Sequence, residues 1–160
     1  MPDLSSTVAL EFAGHFEDVA AKLHKWVDPL SSEQFWRNPY AYGNSVGHLV
    51  LHLTGNLSYY IGAQIAGSGY VRNHDREFTE TSRPAKEDVL RAFDLATQTV
   101  VETIRKQSEA DWSAPYSAER SEQKNHFAIM LNCAAHADHH VGQIIYLSRE
   151  LTGQSQSRAV

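Results

Sequence analysis

The chain has 160 residues, a net charge of −5 and a pI near 6.0, and its 14 lysine and arginine residues are scattered along the sequence. This length predicts one domain over residues 1–160 with a core of its own, and the scattered positive charge argues against nucleic acid or an anionic membrane as a partner. One cysteine excludes an intrachain disulfide. Because the sequence shows neither an apolar leader nor an apolar run approaching about 20 residues, we expect a cytoplasmic protein.

Apolar residues recur at helical spacing in four long segments, and the alternation typical of strands is almost absent. The segments cover about 6–27, 44 or 45 to 66, 82–106 and 122–151. Each has one apolar stripe, and none is long enough for a sustained coiled coil. The pattern therefore predicts an all-α fold in which four long helices, joined by long loops, pack as a four-helix bundle.

The connections between these segments carry signals of their own. Ser31-Ser-Glu-Gln34 has the pattern of a capping box, which predicts a short extra helical turn before the second segment. Two longer connections, at 68–81 and 109–121, are polar and contain no clear helical period. Loops of this length in a compact domain are usually functional or mobile.

His136 and His140 are the most informative residues of the fourth segment. They are four residues apart, so on a helix their rings project from one face about one turn apart. Both fall on the apolar seam that also contains Ile129 and Cys133. Two buried imidazoles cost about 1–3 kcal/mol each unless their nitrogens find partners, and one metal ion satisfies both. Hydrogen bonds to buried serines, tyrosines or waters are the alternative.

A further imidazole lies in the second segment. His52 sits at the border of that segment's apolar stripe and completes a set of three histidines, because metal sites in bundles use inward-facing side chains from different helices. His48, one turn earlier, is an alternative ligand or a neighbour of the site. His139 is rotated by about 100° from His140 and is expected beside the site. The other histidines are expected to be ordinary surface or partly buried residues: His15, His24, His74 and His126.

Cys133 lies on the same seam as His136 and His140. It is a candidate fourth ligand or redox-active thiol, although we favour a small buried core residue.

Neighbouring residues exclude several familiar chemistries. Helical zinc proteases carry a glutamate directly after the first histidine, where this chain has Ala137. Di-iron proteins of the ferritin type need Glu-x-x-His pairs, and the sequence contains none. Nine histidines and open coordination positions instead suit a divalent ion held by imidazoles.

The sequence resembles the DinB/YfiT-like family of metal-dependent enzymes over nearly its whole length. The resemblance rests on Asn44-Ser-Val-Gly-His-Leu-Val-Leu-His52-Leu and on His136-Ala-Asp-His-His140-Val-Gly-Gln-Ile144, with a weaker match at Asp75-Arg-Glu-Phe78. It implies a four-helix bundle whose metal ligands are His52, His136 and His140. It also implies nickel or zinc, a homodimer and a small-molecule substrate.

The same resemblance implies an activity. Characterised relatives include thiol-dependent S-transferases, so we expect a transferase in which the metal site activates a low-molecular-weight thiol that serves as co-substrate. Arg72, Arg76 and Arg83 are candidates to bind the carboxylates of an acidic thiol, although solvated loop charges are the commoner role. The alternatives are a hydrolase that activates water and a non-catalytic, stress-related protein that binds a metal or a small ligand.

Overall fold

The computed structural model describes residues 3–153, and that part of the chain contains seven α-helices and no β-strand. The all-α prediction is therefore confirmed. The predicted domain also includes residues 1, 2 and 154–160, which lie outside the described range. The helices are α1 (Leu4–Val27), α2 (Ser32–Trp36), α3 (Val46–Leu57), α4 (Arg76–Thr79), α5 (Lys86–Arg105), α6 (Glu109–Trp112) and α7 (His126–Leu151), with a π-helical segment (Ser58–Ala63) directly after α3.

The helix bounds differ from the sequence prediction in several places, among them the third predicted helix, which begins at Lys86 rather than near 82. The second predicted helix is α-helical only to Leu57 and continues to Ala63 with the wider π-helical turn. The two long connections each contain a short helix, α4 and α6. A helix of four residues is too short to show a helical period in the sequence. The last helix begins at His126 rather than near 122, because the side chain of Asn125 accepts a hydrogen bond from the backbone N–H of Ala128 (2.8 Å) and caps it there.

Side-chain caps begin several of the helices, including α3, which carries His52. The Ser45 hydroxyl accepts a hydrogen bond from the backbone N–H of His48 at the start of α3. The predicted capping box forms in α2, where Ser31 and Gln34 exchange side-chain and backbone hydrogen bonds. Such caps satisfy backbone donors that have no partner within the helix, and each contributes about 1 kcal/mol.

Four helices form the body of the molecule. α1 packs against α5 and α7, and α3 packs against the same two helices. Their inward side chains form one apolar core whose largest fully buried members include Phe16, Leu53, Phe93, Met130 and Ile144. The contact between α3 and α7 positions the candidate site, because it brings the histidines of the two helices within reach of one another. Within the described range, no helix combines the length and apolarity that crossing a bilayer requires.

Candidate metal centre

Three histidines converge where α3 meets α7. His52 extends from α3 and is 7% exposed, and His136 and His140 extend from one face of α7 and are partly buried. The Nε2 atom of His136 lies 3.0 Å from Nε2 of His52 and 3.0 Å from Nε2 of His140. The structure thus brings together the three residues named from the sequence, with the same ring atom of each turned toward a common point.

The neighbours of two of these rings determine where their protons lie. Nδ1 of His52 is 2.8 Å from Oε2 of Glu77, and Nδ1 of His140 is 2.7 Å from Oε1 of Gln143. Both oxygens accept hydrogen bonds, so each Nδ1 carries the hydrogen and donates it. In neutral rings, the Nε2 atoms of His52 and His140 therefore present lone pairs to the centre of the cluster.

Hydrogen bonding alone does not satisfy this cluster. Nε2 of His136 has either one hydrogen or one lone pair, yet it makes two 3.0 Å contacts with nitrogens that present lone pairs. At most one of the two contacts can be a hydrogen bond. A cation among the three nitrogens accepts all three lone pairs, so the donor set fits a metal ion. Nδ1 of His136 is buried and makes no hydrogen bond with another described residue.

The spacing of the nitrogens also fits an ion. Metal–imidazole bonds of about 2.0–2.1 Å place two ligand nitrogens about 2.8–3.0 Å apart at a right angle and about 3.3–3.4 Å apart at the tetrahedral angle. The two separations of 3.0 Å at His136 Nε2 lie within this range. The ligand atoms of all three residues lie within 4.8 Å of one another.

The surroundings of His136 and His140 favour the neutral form of both rings. Burial, followed by the nearby rings of His140 and His52, lowers the pKa of His136 to about 4. Burial also lowers the pKa of His140, against the opposing effect of its hydrogen bond to Gln143. Only the unprotonated imidazole has a lone pair for a metal, so both rings are ready to bind one at neutral pH.

A buried ion pair lies behind His52. Glu77 on α4 is 6% exposed, and its two carboxylate oxygens accept hydrogen bonds from Nε (2.7 Å) and Nη2 (2.8 Å) of Arg72. Burial raises the pKa of the Glu77 carboxyl, but the hydrogen bonds from Arg72 and His52 outweigh it and leave the pKa below its usual range. Glu77 is therefore an anion that holds the His52 ring from the side opposite the cluster.

The other residues considered from the sequence lie outside the three-histidine cluster. Both ring nitrogens of His48 are occupied, Nδ1 by the Ser45 hydroxyl (2.8 Å) and Nε2 by the carbonyl oxygen of Glu80 (3.0 Å). His139 is exposed and contacts the edge of the His140 ring. Cys133 is fully buried, and burial raises the pKa of its thiol to about 12, so it has the properties of a core residue.

The chain matches, over residues 6–158, the family described as "Protein of unknown function (DUF1572)". It belongs to the DUF1572 family. No curated protein and no solved structure gives a significant match. The family description names neither a fold nor an activity, so the resemblance to DinB/YfiT-like enzymes remains a prediction.

The sequence interpretation of this DUF1572 chain did not predict the contacts of Glu77, Arg72 and His74 with His52. Glu77 and Arg72 lie in the polar connection after α3, where no periodicity indicates that their side chains turn inward. Arg72 was a candidate to bind the carboxylate of a thiol, with a solvated loop charge as the commoner role, but its guanidinium bonds to Glu77 and its side chain is 9% exposed. His74, expected to be an ordinary surface or partly buried residue, is partly buried, and its ring also packs edge-on with the His52 and Phe78 rings.

A pocket of about 380 Å³ adjoins the site in this DUF1572 chain. It shares Arg72 and His74 with the surroundings of His52, and the π-helical segment contributes Tyr59 and Tyr60 to its wall. A larger open groove of about 680 Å³ runs between α1 and α7, and its described lining residues include none of the three clustered histidines. The described lining of the smaller pocket includes none of the three histidines either, but it contains Arg72 and His74, which lie beside the His52 ring.

Proposed function

We propose that the chain is a metal-dependent enzyme in which His52, His136 and His140 hold one divalent ion, nickel or zinc. The observation that carries this proposal is the pair of 3.0 Å contacts at Nε2 of His136, which hydrogen bonds cannot both satisfy. Three imidazoles are neutral ligands and leave coordination positions for a small molecule. Structural zinc sites, by contrast, are closed and usually contain cysteine.

The proposed reaction is thiol-dependent S-transfer, with a low-molecular-weight thiol as co-substrate. A divalent ion bound there supplies positive charge that lowers the pKa of a thiol or a water molecule reaching it. The chain's own residues prepare the site: His52, His136 and His140 turn lone pairs toward one point, and the adjoining pocket has room for a small molecule. The partial burial of the rings limits competing water.

The choice of transferase over hydrolase rests on the resemblance to DinB/YfiT-like enzymes. A hydrolase that activates water, and a non-catalytic protein that binds a metal or a small ligand, use the same three histidines. The described surroundings of the cluster contain one anionic side chain in contact with a ligand ring, Glu77, and it is already bonded to Arg72 and His52. It is therefore poorly placed to take a proton from a water molecule, which weakens the hydrolase alternative.

The proposal extends to the assembly of the molecule. The contacts of α1 and α3 with α5 and α7 support a four-helix bundle of the DinB/YfiT-like kind, with α2, α4 and α6 as additions to the connections. Exposed apolar side chains on α1 and α7, among them Leu10 and Leu131, are compatible with the proposed homodimer. Action in the cytoplasm also remains a proposal, supported by the single cysteine.

Metal analysis of protein purified without chelator tests the site directly. We expect about one nickel or zinc ion per chain, and loss of that ion in His136→Ala, because two ligands cannot hold it as tightly. His139→Ala is the matched control, since it removes an imidazole from the same helix that is not part of the cluster. A chain with all three ligands replaced by alanine that still binds one tight metal would contradict the assignment.

A further inference from the structure

We infer that Glu77 is a positioning residue, which fixes His52 in the Nδ1–H form so that its Nε2 lone pair faces the metal, and that Gly55 and Arg72 hold Glu77 in place. This inference rests on the proposed function, because it assigns the residues that prepare one ligand of the same site. The resemblance gives no role to Glu77, Arg72 or Gly55 in holding a metal ligand, although Glu77 lies within its weaker match at Asp75-Arg-Glu-Phe78.

The carboxylate has the geometry that such a role requires. Oε2 of Glu77 accepts the Nδ1–H of His52 at 2.8 Å, and His52 Nε2, the other nitrogen of the same ring, points at His136. A histidine with a hydrogen on Nδ1 has its lone pair on Nε2, so this hydrogen bond decides which nitrogen can bind a metal. Carboxylates behind metal-bound histidines also fix the ring orientation and raise the basicity of the ligand nitrogen.

Gly55 leaves the space that the carboxylate occupies. Gly55 is in α3, nearly one turn after His52, and a Cβ atom built there would lie 2.0 Å from Oε1 and 2.8 Å from Cδ of Glu77. Any larger residue would push the carboxylate off the helix and away from His52. A glycine in the interior of a helix costs stability relative to alanine, and here this close approach explains its presence.

Arg72 holds the Glu77 carboxylate in place and also argues against a second metal site beside it. Its guanidinium bonds to both oxygens of Glu77, so the carboxylate cannot rotate without breaking a bidentate pair. Its Nη2 lies 3.4 Å from Nδ1 of His52. His52, His74 and Glu77 also lie close enough together to suggest a second metal site, but the Arg72 cation already neutralises the carboxylate there. The geometry therefore supports one ion on the Nε2 side of His52.

Two variants test the inference. Glu77→Gln removes the negative charge and one of the two acceptor oxygens. The remaining oxygen cannot accept the two hydrogen bonds from Arg72 and the one from Nδ1–H of His52 together. Gly55→Ala displaces the carboxylate without removing it, and alanine favours the helix, so any lost affinity is not caused by helix loss. The matched controls are Glu80→Gln, which alters a carboxylate bonded to Arg76 at the end of the same short helix, and Gly14→Ala, where a Cβ meets nothing within 4 Å.

The readouts are zinc affinity by calorimetry and the ring ¹⁵N chemical shifts of His52 in metal-free protein. We expect both variants to bind zinc about 10–100-fold more weakly than the wild type and both controls to match it. We also expect wild-type His52 to show hydrogen on Nδ1, and Glu77→Gln to move part of it to Nε2. The His48 ring on the same helix provides the reference, since its partners do not include Glu77.

Three outcomes would overturn the inference. Wild-type His52 with its hydrogen on Nε2 contradicts it even if no variant folds. Unchanged zinc affinity in both folded variants contradicts it while the three-histidine metal site stands. A wild-type chain that binds no zinc, nickel or cobalt overturns the proposed function, and with it the positioning role, whatever the ring shifts show.

Discussion

The imidazole of His24 on α1 lies 2.7 Å, through Nε2, from Oδ1 of Asp94 on α5, and its Nδ1 lies 2.9 Å from Oδ1 of Asp28. Burial lowers the pKa of His24, but the hydrogen bonds and charges of Asp94 and Asp28 outweigh it and raise the pKa above its ordinary value near 6.5. A ring bonded through both nitrogens to carboxylates is best satisfied as the cation. His24 is thus a pH-dependent link between two long helices.

The first prediction concerns the stability supplied by this link. A pKa raised by folding means that the contribution is fully present below about pH 6.5 and is lost as the pH rises through the raised value. Asp94→Asn should therefore lower the free energy of unfolding at pH 6, by less than about 1 kcal/mol for a partly exposed pair, and have a smaller effect at pH 9. Urea denaturation at both pH values measures the difference.

A control for this prediction lies on the same helix. Asp88 bonds to Arg91 at 2.8 Å, and this pair contains no imidazole. Asp88→Asn should therefore change the free energy of unfolding by the same amount at both pH values. Equal effects of pH on the Asp94→Asn and Asp88→Asn variants would contradict the assignment to His24.

The second prediction concerns the contact between Gly47 and Trp36. A Cβ on Gly47 would lie 2.6 Å from Cε3 of Trp36, whose ring is buried and donates a hydrogen bond to the carbonyl oxygen of Pro84. Gly47→Ala should lower the free energy of unfolding, because overpacking costs about 1–3 kcal/mol and the gain in helix propensity is about 1 kcal/mol. Gly14→Ala has open space and should be neutral or stabilising. Thermal melts compare the two variants, and a Gly47→Ala chain as stable as the Gly14→Ala chain would contradict the close contact.

The third prediction concerns the lone cysteine. The Cys133 thiol is fully buried and burial raises its pKa to about 12, so almost no thiolate is present or accessible in the folded chain. An aromatic disulfide reagent should react with it only after denaturant unfolds the protein. Cys133→Ala should bind metal as the wild type does. Fast reaction of the native chain, or metal lost from Cys133→Ala, would return this residue to the list of candidate ligands.

Part of the three-histidine cluster could be predicted from the helical spacing of the sequence, because that part depends on geometry within one helix. Residues four apart on a helix share a face, so the neighbouring rings of His136 and His140 could be inferred without coordinates. That His52 meets them depends on how α3 packs against α7, which no local pattern states, and here the family resemblance supplied the expectation. Metal binding by the three remains a prediction.

The residues that support His52 could not be predicted in this way. Glu77 and Arg72 belong to a connection in which polar residues usually face water. Their ion pair offsets the cost of removing both charges from water. In the sequence, Gly55 indicates only a position of low helix propensity. The sequence does not show that the Glu77 carboxylate occupies the space that a side chain there would fill. The π-helical turn after Leu57 likewise has no period by which a short segment can be recognised.

The fourth prediction concerns the effect of metal on stability. An ion that binds the folded chain and not the unfolded one raises the free energy of unfolding by about 2.7 kcal/mol when present at 100 times its dissociation constant. Zinc should therefore raise the melting temperature of the wild type, and a chelator should reverse the rise. His140→Ala should show neither effect, whereas His139→Ala should show both. An equal rise in His140→Ala would place the bound ion elsewhere.

The last prediction concerns the thiol reaction. A free thiol with a pKa near 8.5 is only about 3% thiolate at pH 7, so a site that favours the thiolate can accelerate its attack on an electrophile by about tenfold or more. The wild-type chain loaded with zinc or nickel should speed the conjugation of a biological thiol to chlorodinitrobenzene, in which a carbon–sulfur bond forms and chloride leaves. His52→Ala should lose most of this acceleration while its helical circular dichroism is retained. His139→Ala should keep it.

The cobalt-substituted protein separates thiol chemistry from the alternatives without relying on turnover. A thiol that reaches the ion should add a sulfur-to-metal charge-transfer band to the spectrum of the wild type and not to that of His52→Ala. A hydrolase would instead cleave an activated ester with no thiol present, and a binding protein would do neither. If glutathione, cysteine and bacillithiol all leave the cobalt spectrum unchanged, the S-transferase proposal fails, and ester cleavage then decides between hydrolysis and simple binding.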